Sequence, residues 1–283
     1  MRKLFSLMLV VLGAAALVSC SKDDDVLREG EGEITFVTEM EGCLYIETFN
    51  AGDRITIDWG DGSKKEYVSE RDGFEDITEI EFIYGIYPYH TYAGKSSHRV
   101  TVKGKIKGVV FYDVDITSID VTKCPALEKL YCSCYQSTSL DVSKCPELVY
   151  LDCSDNQLTS LNISGCTALE YLNCDDNQLT SLDVSKNTAL EFLECYNNQL
   201  TSLDVSKNTA LEFLVCESNQ LTSLDVSGCT ALHRLDCYGN QFSASAMNKI
   251  YNDLPVVNNG DLRCDKLGDY SIAENKGWDV YVY

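Results

Sequence analysis

The chain has 283 residues and a formal net charge of −21, with 44 acidic against 23 basic side chains. That balance disfavours nucleic acids and anionic lipid surfaces, which reward basic patches. The length allows two domains, and fourteen cysteines make the state of the thiols an early question.

In chain order, residues 1–19 read as a signal peptide. Arg2 and Lys3 precede an apolar run from Leu7 to Leu17, and small residues follow. The run is too short to span a bilayer. Leu17-Val-Ser-Cys20 resembles a lipobox, which implies that Cys20 is lipidated and begins the mature chain. Residues 20–32 form an acidic linker. Its Ser21-Lys-Asp-Asp-Asp25 stretch resembles the tag that sends such lipoproteins to the outer face of the outer membrane. The expected location is therefore the outer membrane, with the lipid as the sole membrane contact.

Residues 33–107 are expected to form an all-β sandwich. Short alternating runs recur at Glu33–Thr38, Leu44–Thr48, Arg54–Asp58, Ile77–Phe82 and His98–Lys103, separated by turn residues such as Gly60-Asp-Gly62. Ile55-Thr-Ile-Asp-Trp-Gly-Asp-Gly-Ser63, followed by His90-Thr-Tyr-Ala93 and Val100-Thr-Val102, resembles the polycystic-kidney-disease-type (PKD) domain, an immunoglobulin-like module. The resemblance implies a spacer or interaction module. Trp59 should be core, and Gly60 and Gly62 should take positive φ. Asp58 and Asp61 alone fall short of the six or more oxygens that calcium wants.

Residues 108–241 repeat with a period of 21. Cys132, Cys153, Cys174, Cys195, Cys216 and Cys237 keep that step, as do Leu130, Leu151, Leu172, Leu193, Leu214 and Leu235, and Asn156, Asn177, Asn198, Asn219 and Asn240. A fixed period of this size means a solenoid. Leu169, Leu172, Cys174, Asn177 and Leu179 fill the marked places of L-x-x-L-x-L-x-x-N-x-L, so the segment resembles the short leucine-rich repeats of surface proteins from Gram-negative anaerobes. Each unit should hold a short strand with Leu172 and Cys174 facing in. Leu182 and Val184 should line the opposite wall. The asparagines should turn inward and satisfy backbone groups at the bend. Counting back from Leu130 places the first rung at Val109, with Phe111 over the end of the cysteine column, while Ile119 and Val121 continue the other wall. Tyr135 and Ser137 break the pattern and should distort the next copy.

The inner cysteines replace inward leucines and should be reduced hydrophobes. A second column, Cys124, Cys145, Cys166 and Cys229, is interrupted by Asn187 and Asn208. This suggests a partly polar site near the convex edge. A linear ladder is not the tetrahedral cluster that a metal requires, so no metal or cofactor is expected.

Residues 242–283 should form a C-terminal cap. A helix is expected over Phe242–Leu254 with Ser243 as N-cap, then a strand at Leu262–Cys264, a short helix at Ser271–Gly277 and a strand at Trp278–Tyr283. The fold class is thus mainly β: a sandwich, a solenoid and a small α/β cap.

The outward side chains of the strands should form columns. One contains Tyr150, Tyr171, Phe192 and Phe213; the next contains Asp152, Asn173, Glu194 and Asp236; the third contains Tyr196 and Tyr238. Aromatics beside acids compose recognition surfaces. The expected function is non-enzymatic binding of a protein or glycan ligand on the concave face. The alternatives are an accessory glycan-capture lipoprotein of a polysaccharide uptake system, or a scaffold whose aromatics merely shield the sheet. His90, His98 and His233 are widely separated in sequence and lack nucleophile or metal-ligand spacing, so no catalytic residue is assigned.

Overall fold

The computed structural model describes residues 27, 31–38, 42–47, 53–68, 88–92, 96–112, 116–133 and 137–283. The signal segment, Cys20, the run Asp23–Asp25, the expected strand Ile77–Phe82 and Tyr135 lie outside the described residues. Among the described residues no helix is long and apolar enough to cross a membrane.

The first part holds β1 (Gly32–Thr38), β2 (Gly42–Glu47), β3 (Arg54–Asp58), β4 (Lys64–Val68), β5 (Tyr89–His90) and β6 (His98–Gly104). Period-two alternation fixes which side each residue faces. In β1, Ile34 and Phe36 are buried between half-buried neighbours. The β3–β4 hairpin turns at Gly60 and Gly62, with φ of 77° and 93°. A Cβ on Gly60 would lie 2.4 Å from the Arg99 carbonyl oxygen, so only glycine fits. Trp59 is buried beside that turn.

The solenoid continues with β7 (Gly108–Tyr112), β8 (Ile116–Lys123), β9 (Lys129–Tyr131), β10 (Tyr150–Asp152), β11 (Tyr171–Asn173), β12 (Phe192–Glu194), β13 (Phe213–Val215) and β14 (Arg234–Asp236). From β9 to β14 each strand pairs in parallel with the next, and residues 21 apart sit side by side, as Leu172 does with Leu193. β7 joins the same ladder, with Val109 beside Leu130. Leucines and cysteines fill the interior: Leu172, Cys174, Leu193 and Cys195 have no exposed surface. One rung alone would leave those side chains wet; stacking removes them from water, at about 1.5–3 kcal/mol for each large apolar side chain.

The two parts are not separate bodies. β7 pairs in parallel with β9 on one edge and antiparallel with β2 on the other. The solenoid sheet therefore runs on through β7, β2 and β5 as one eleven-stranded sheet. The opposite wall does the same. β8 contains Val121, the 21-residue equivalent of Val142, yet it pairs antiparallel with β1 and completes the five-stranded sheet β4-β3-β6-β1-β8. Both walls of the coil thus flow into the two sheets of the N-terminal part, across the boundary expected at residue 107. Phe36 of one sheet meets Phe111 of the other edge-on, with ring centroids 5.0 Å apart.

The C-terminal segment contains α1 (Ala244–Asp253), β15 (Gly260–Cys264), α2 (Ser271–Glu274) and β16 (Trp278–Val282). Ser243 caps α1 by accepting from the Ala246 N–H. β15 and β16 prolong the parallel sheet, with Leu262 beside Leu235 and Val280 beside Leu262. The segment adds two further rungs instead of only covering the end, and Tyr281 and Tyr283 remain exposed.

Candidate functional site: the outer face of the parallel strands

Two internal ladders hold the strands rigidly enough to align their outer side chains. In the first, each turn asparagine points inward and is saturated. Asn198 Nδ2 donates to the carbonyls of Cys174 (2.9 Å), Cys195 (3.3 Å) and Tyr196 (3.1 Å), while its Oδ1 accepts from the Leu179 N–H at 2.9 Å. Asn156, Asn177 and Asn219 do the same one rung apart. The residue before each, Asp155, Asp176, Asn197 or Ser218, takes positive φ to make the bend.

The second ladder corrects the expectation about Asn187 and Asn208. Both are fully buried, so their polarity does not mark contact with water. Their polarity serves the carbonyl one coil back: Asn187 Nδ2 reaches Ile163 O (3.0 Å) and Asn208 Nδ2 reaches Val184 O (3.2 Å). In the same place the thiols of Cys145, Cys166 and Cys229 point to Val121 O, Val142 O and Val205 O at 3.7, 3.2 and 3.6 Å. Thiol and amide are alternative donors to the acceptor 24 residues earlier, and the amide donates in addition to the carbonyl 21 residues earlier, Cys166 O from Asn187 and Asn187 O from Asn208, both at 2.7 Å. The amide leaves a remainder, for the Oδ1 atoms of Asn187 and Asn208 are buried without a donor. Eleven described cysteines are free and buried. Burial pushes the Cys195 thiol up to about 12 and the Cys153 and Cys174 thiols well above their usual value.

Outside these ladders the columns stand in register. Tyr150 lies beside Tyr171, Tyr171 beside Phe192, and Phe192 beside Phe213. Tyr131 stacks on Tyr150 at 4.4 Å, Tyr150 on Tyr171 at 4.2 Å, and Phe192 on Phe213 at 4.6 Å; Tyr171 and Phe192 are tilted at 6.0 Å. His233 closes the run edge-on to Phe213 at 4.4 Å. Tyr131 and His233 belong to this run although neither is in the column: Tyr131 stands in the next outward column, beside Asp152, and His233 directly precedes the column residue Arg234. Stacking leaves the four column rings half-buried, each covered by its neighbours. Burial holds the Tyr150 hydroxyl well above its usual value and pushes Tyr171 up to about 12.

The acids lie alongside. Asp152, Asn173 and Glu194 are half-buried, and Tyr196 and Tyr238 border them. Asp175 is 4% exposed and accepts from the Tyr196 hydroxyl. Burial, reinforced by Asp176, Asp152 and Asp155, pushes its carboxyl up to about 6. Burial also raises Glu194, followed by the fields of Asp175 and Asp152. The Tyr238 hydroxyl donates to Glu217. Asp236 departs from expectation. It is 2% exposed, because Arg234 Nη2 (2.9 Å) and Arg263 Nη1 (3.5 Å) close over Oδ2.

The N-terminal histidines are closer in space than in sequence. His90 stacks on Trp59 at 4.7 Å, Tyr92 packs edge-on against His90, and His98 stacks on Tyr92 at 3.9 Å. His90 Nε2 also meets Asp61 Oδ2 at 2.8 Å. Asp61 Oδ1 accepts from the Ser63 N–H and hydroxyl, and Asp58 accepts from the Gly60 N–H, so both carboxylates are committed to the turn. Among the described residues no group of three or more histidines, cysteines or acids is placed to hold a metal ion.

Residues 146–187 match the family model "Leucine Rich repeats (2 copies)". Comparison with curated proteins gives no match. Among solved structures, a functional domain of InlJ from Listeria monocytogenes, described as including a cysteine ladder, is similar at 29% identity. That match covers 62% of this chain and 44% of that one, with a TM-score of 0.47. An internalin, InlF, from the same species is similar at 22% identity, over 57% and 50% of the two chains, with a TM-score of 0.49. Internalin C2, also from Listeria monocytogenes, is similar at 20% identity, over 63% and 81%, with a TM-score of 0.52. The matched part spans less than half of the InlJ domain and half of InlF. The 21-residue period, the inward asparagines and the matched segment together make this solenoid one of leucine-rich repeats.

Proposed function

We propose that the chain is a non-enzymatic recognition protein, tethered to the cell surface through lipid on Cys20, that binds a protein or glycan ligand on the outer face of strands β9–β14. Leucine-rich repeat solenoids commonly mediate protein interactions, and such folds present extended binding surfaces. The observation that carries the reading is the aromatic run from Tyr131 to His233. The interior of the solenoid is already filled by leucine and cysteine. The outer rings are not needed to close it, yet they occur on every rung. The N-terminal part, with its Trp59 turn and its resemblance to PKD domains, serves in this reading as a rigid spacer, because both sheets continue into it.

The test uses purified protein as bait in cell and glycan extracts. Wild type should capture partners that the Tyr171→Ala/Phe192→Ala variant loses, with both proteins equally folded by circular dichroism. An identical captured set would remove the strand face from consideration. The anchor is tested separately: incorporation of a labelled fatty acid should disappear in Cys20→Ser.

A further inference from the structure

We propose that the strand face receives an extended polypeptide segment bearing lysine or arginine side chains, their stems lying on the aromatic run and their charged heads reaching the acids beside it. This deepens the reading of that face as the recognition surface and rests on it.

Asp152, Asp175 and Glu194 occupy successive rungs, with Asp155 and Asp176 at the adjoining bends. Among the described residues none of these five carboxylates has a basic partner within ion-pair distance. The arginines at the C-terminal end of the face, Arg234 and Arg263, are already engaged by Asp236 and Asp261. Burial chiefly, and then the fields of neighbouring carboxylates, raise Asp175 and Glu194; an arriving cation offsets the second of these. On the same column as Asp152 and Glu194, Asp236 already holds two guanidinium groups, with Arg234 Nη2 at 2.9 Å and Arg263 Nη1 at 3.5 Å from its Oδ2.

The acids are strung along the stack instead of converging on one point, so the partner is a chain of cations and not a metal ion. Five steps of about 4.8 Å make a strip on the order of 24 Å, which about seven extended residues span. The stacked rings offer faces and edges along the whole length, and ammonium and guanidinium groups are attracted to ring faces.

The probe is the capped peptide Ac-(Lys-Gly)4-NH2, titrated calorimetrically into the purified protein at low salt. Ac-(Gln-Gly)4-NH2 and Ac-(Glu-Gly)4-NH2 serve as comparisons. The lysine peptide should bind at least tenfold more tightly than either. Asp152→Asn/Asp175→Asn/Glu194→Gln should weaken it at least tenfold. The same charge change made elsewhere, Glu147→Gln/Asp183→Asn/Asp204→Asn, should change it less than twofold. Neutral residues already stand in the mutated columns, as Asn173, Val215 and Ser154 do, so the fold tolerates them. Glu194→Gln alone should still weaken binding about threefold. Equal weakening by the two triple variants, or equal binding of the glutamine peptide, overturns the proposal. If captured partners depend on Tyr171 and Phe192 but ignore the acids, this inference falls and the strand-face reading stands. If they ignore both, both fall.

Discussion

The asparagine ladder makes an energetic prediction that a simple sum of contacts would miss. Asn198→Ala removes three donated bonds and one accepted bond, yet most of its partners keep a second donor. Cys174 O retains Asn177 Nδ2 at 3.2 Å, Cys195 O retains Asn219 Nδ2 at 2.9 Å, and Tyr196 O retains the Asp176 N–H at 3.1 Å. Only the Leu179 N–H is left bare. A buried, unsatisfied backbone group costs about 1–3 kcal/mol, which sets the scale of the single substitution. Asn177→Ala bares the Leu158 N–H in the same way. Together the two substitutions also strip Cys174 O, which neither does alone. The adjacent pair should therefore lose roughly 1–3 kcal/mol beyond the sum of the singles. Asn177 and Asn219 share no carbonyl, so that pair should add to within about 0.5 kcal/mol. The assay is urea unfolding followed by circular dichroism, with the slope checked for constancy across variants. Equal coupling in the two pairs, or none in the first, would refute the shared-carbonyl reasoning.

Three further outcomes follow from the same geometry. Asn→Cys should be tolerated at Asn187, within about 1 kcal/mol by denaturant midpoint, because thiols fill that column elsewhere and the unpartnered Oδ1 disappears. The same change at Asn198 should cost about 1–3 kcal/mol, the scale of Asn198→Ala, since the Leu179 N–H loses its acceptor. The eleven buried thiols should resist a disulfide-exchange reagent in native protein and react after denaturation, because burial keeps them protonated. Asp175→Asn should stabilise the protein near pH 7 by about 1–2 kcal/mol, and the gain should fade by pH 4. The sign follows from a folded-state carboxyl raised to about 6: the native state binds more protons between the unfolded and folded values, so the wild type loses stability as pH rises through that window. Melting temperatures at the two pH values decide it.

The rung register was legible because leucine, cysteine and asparagine recur at one step, and parallel stacking converts that step directly into side-by-side placement. The N-cap at Ser243 and the glycine turn at Gly60 were legible for the same local reason, each residue type having one backbone role there. What the pattern hid was non-local. Val121 matches the wall residues of every later coil, but the sequence does not say that its strand exchanges the solenoid for β1. Asn187 and Asn208 suggest a partly polar position near the convex edge, because an amide is polar; the buried carbonyl each serves lies 24 residues away. Asp236 matched an outward column, but its neighbours Arg234 and Arg263 come from consecutive strands that are 29 residues apart in sequence, and they bury it. The proximity of His90 and His98 depends likewise on Tyr92 packing between them.

The most direct measurement places a photoreactive phenylalanine analogue at position 192, on the strand face, and another at position 186, exposed on the opposite side of the coil. Whole cells are irradiated and adducts of the protein are compared by mass. Cross-linked partners from position 192 and none from position 186 are the expected result. Adducts from position 186 with none from position 192 would contradict recognition by the strand face.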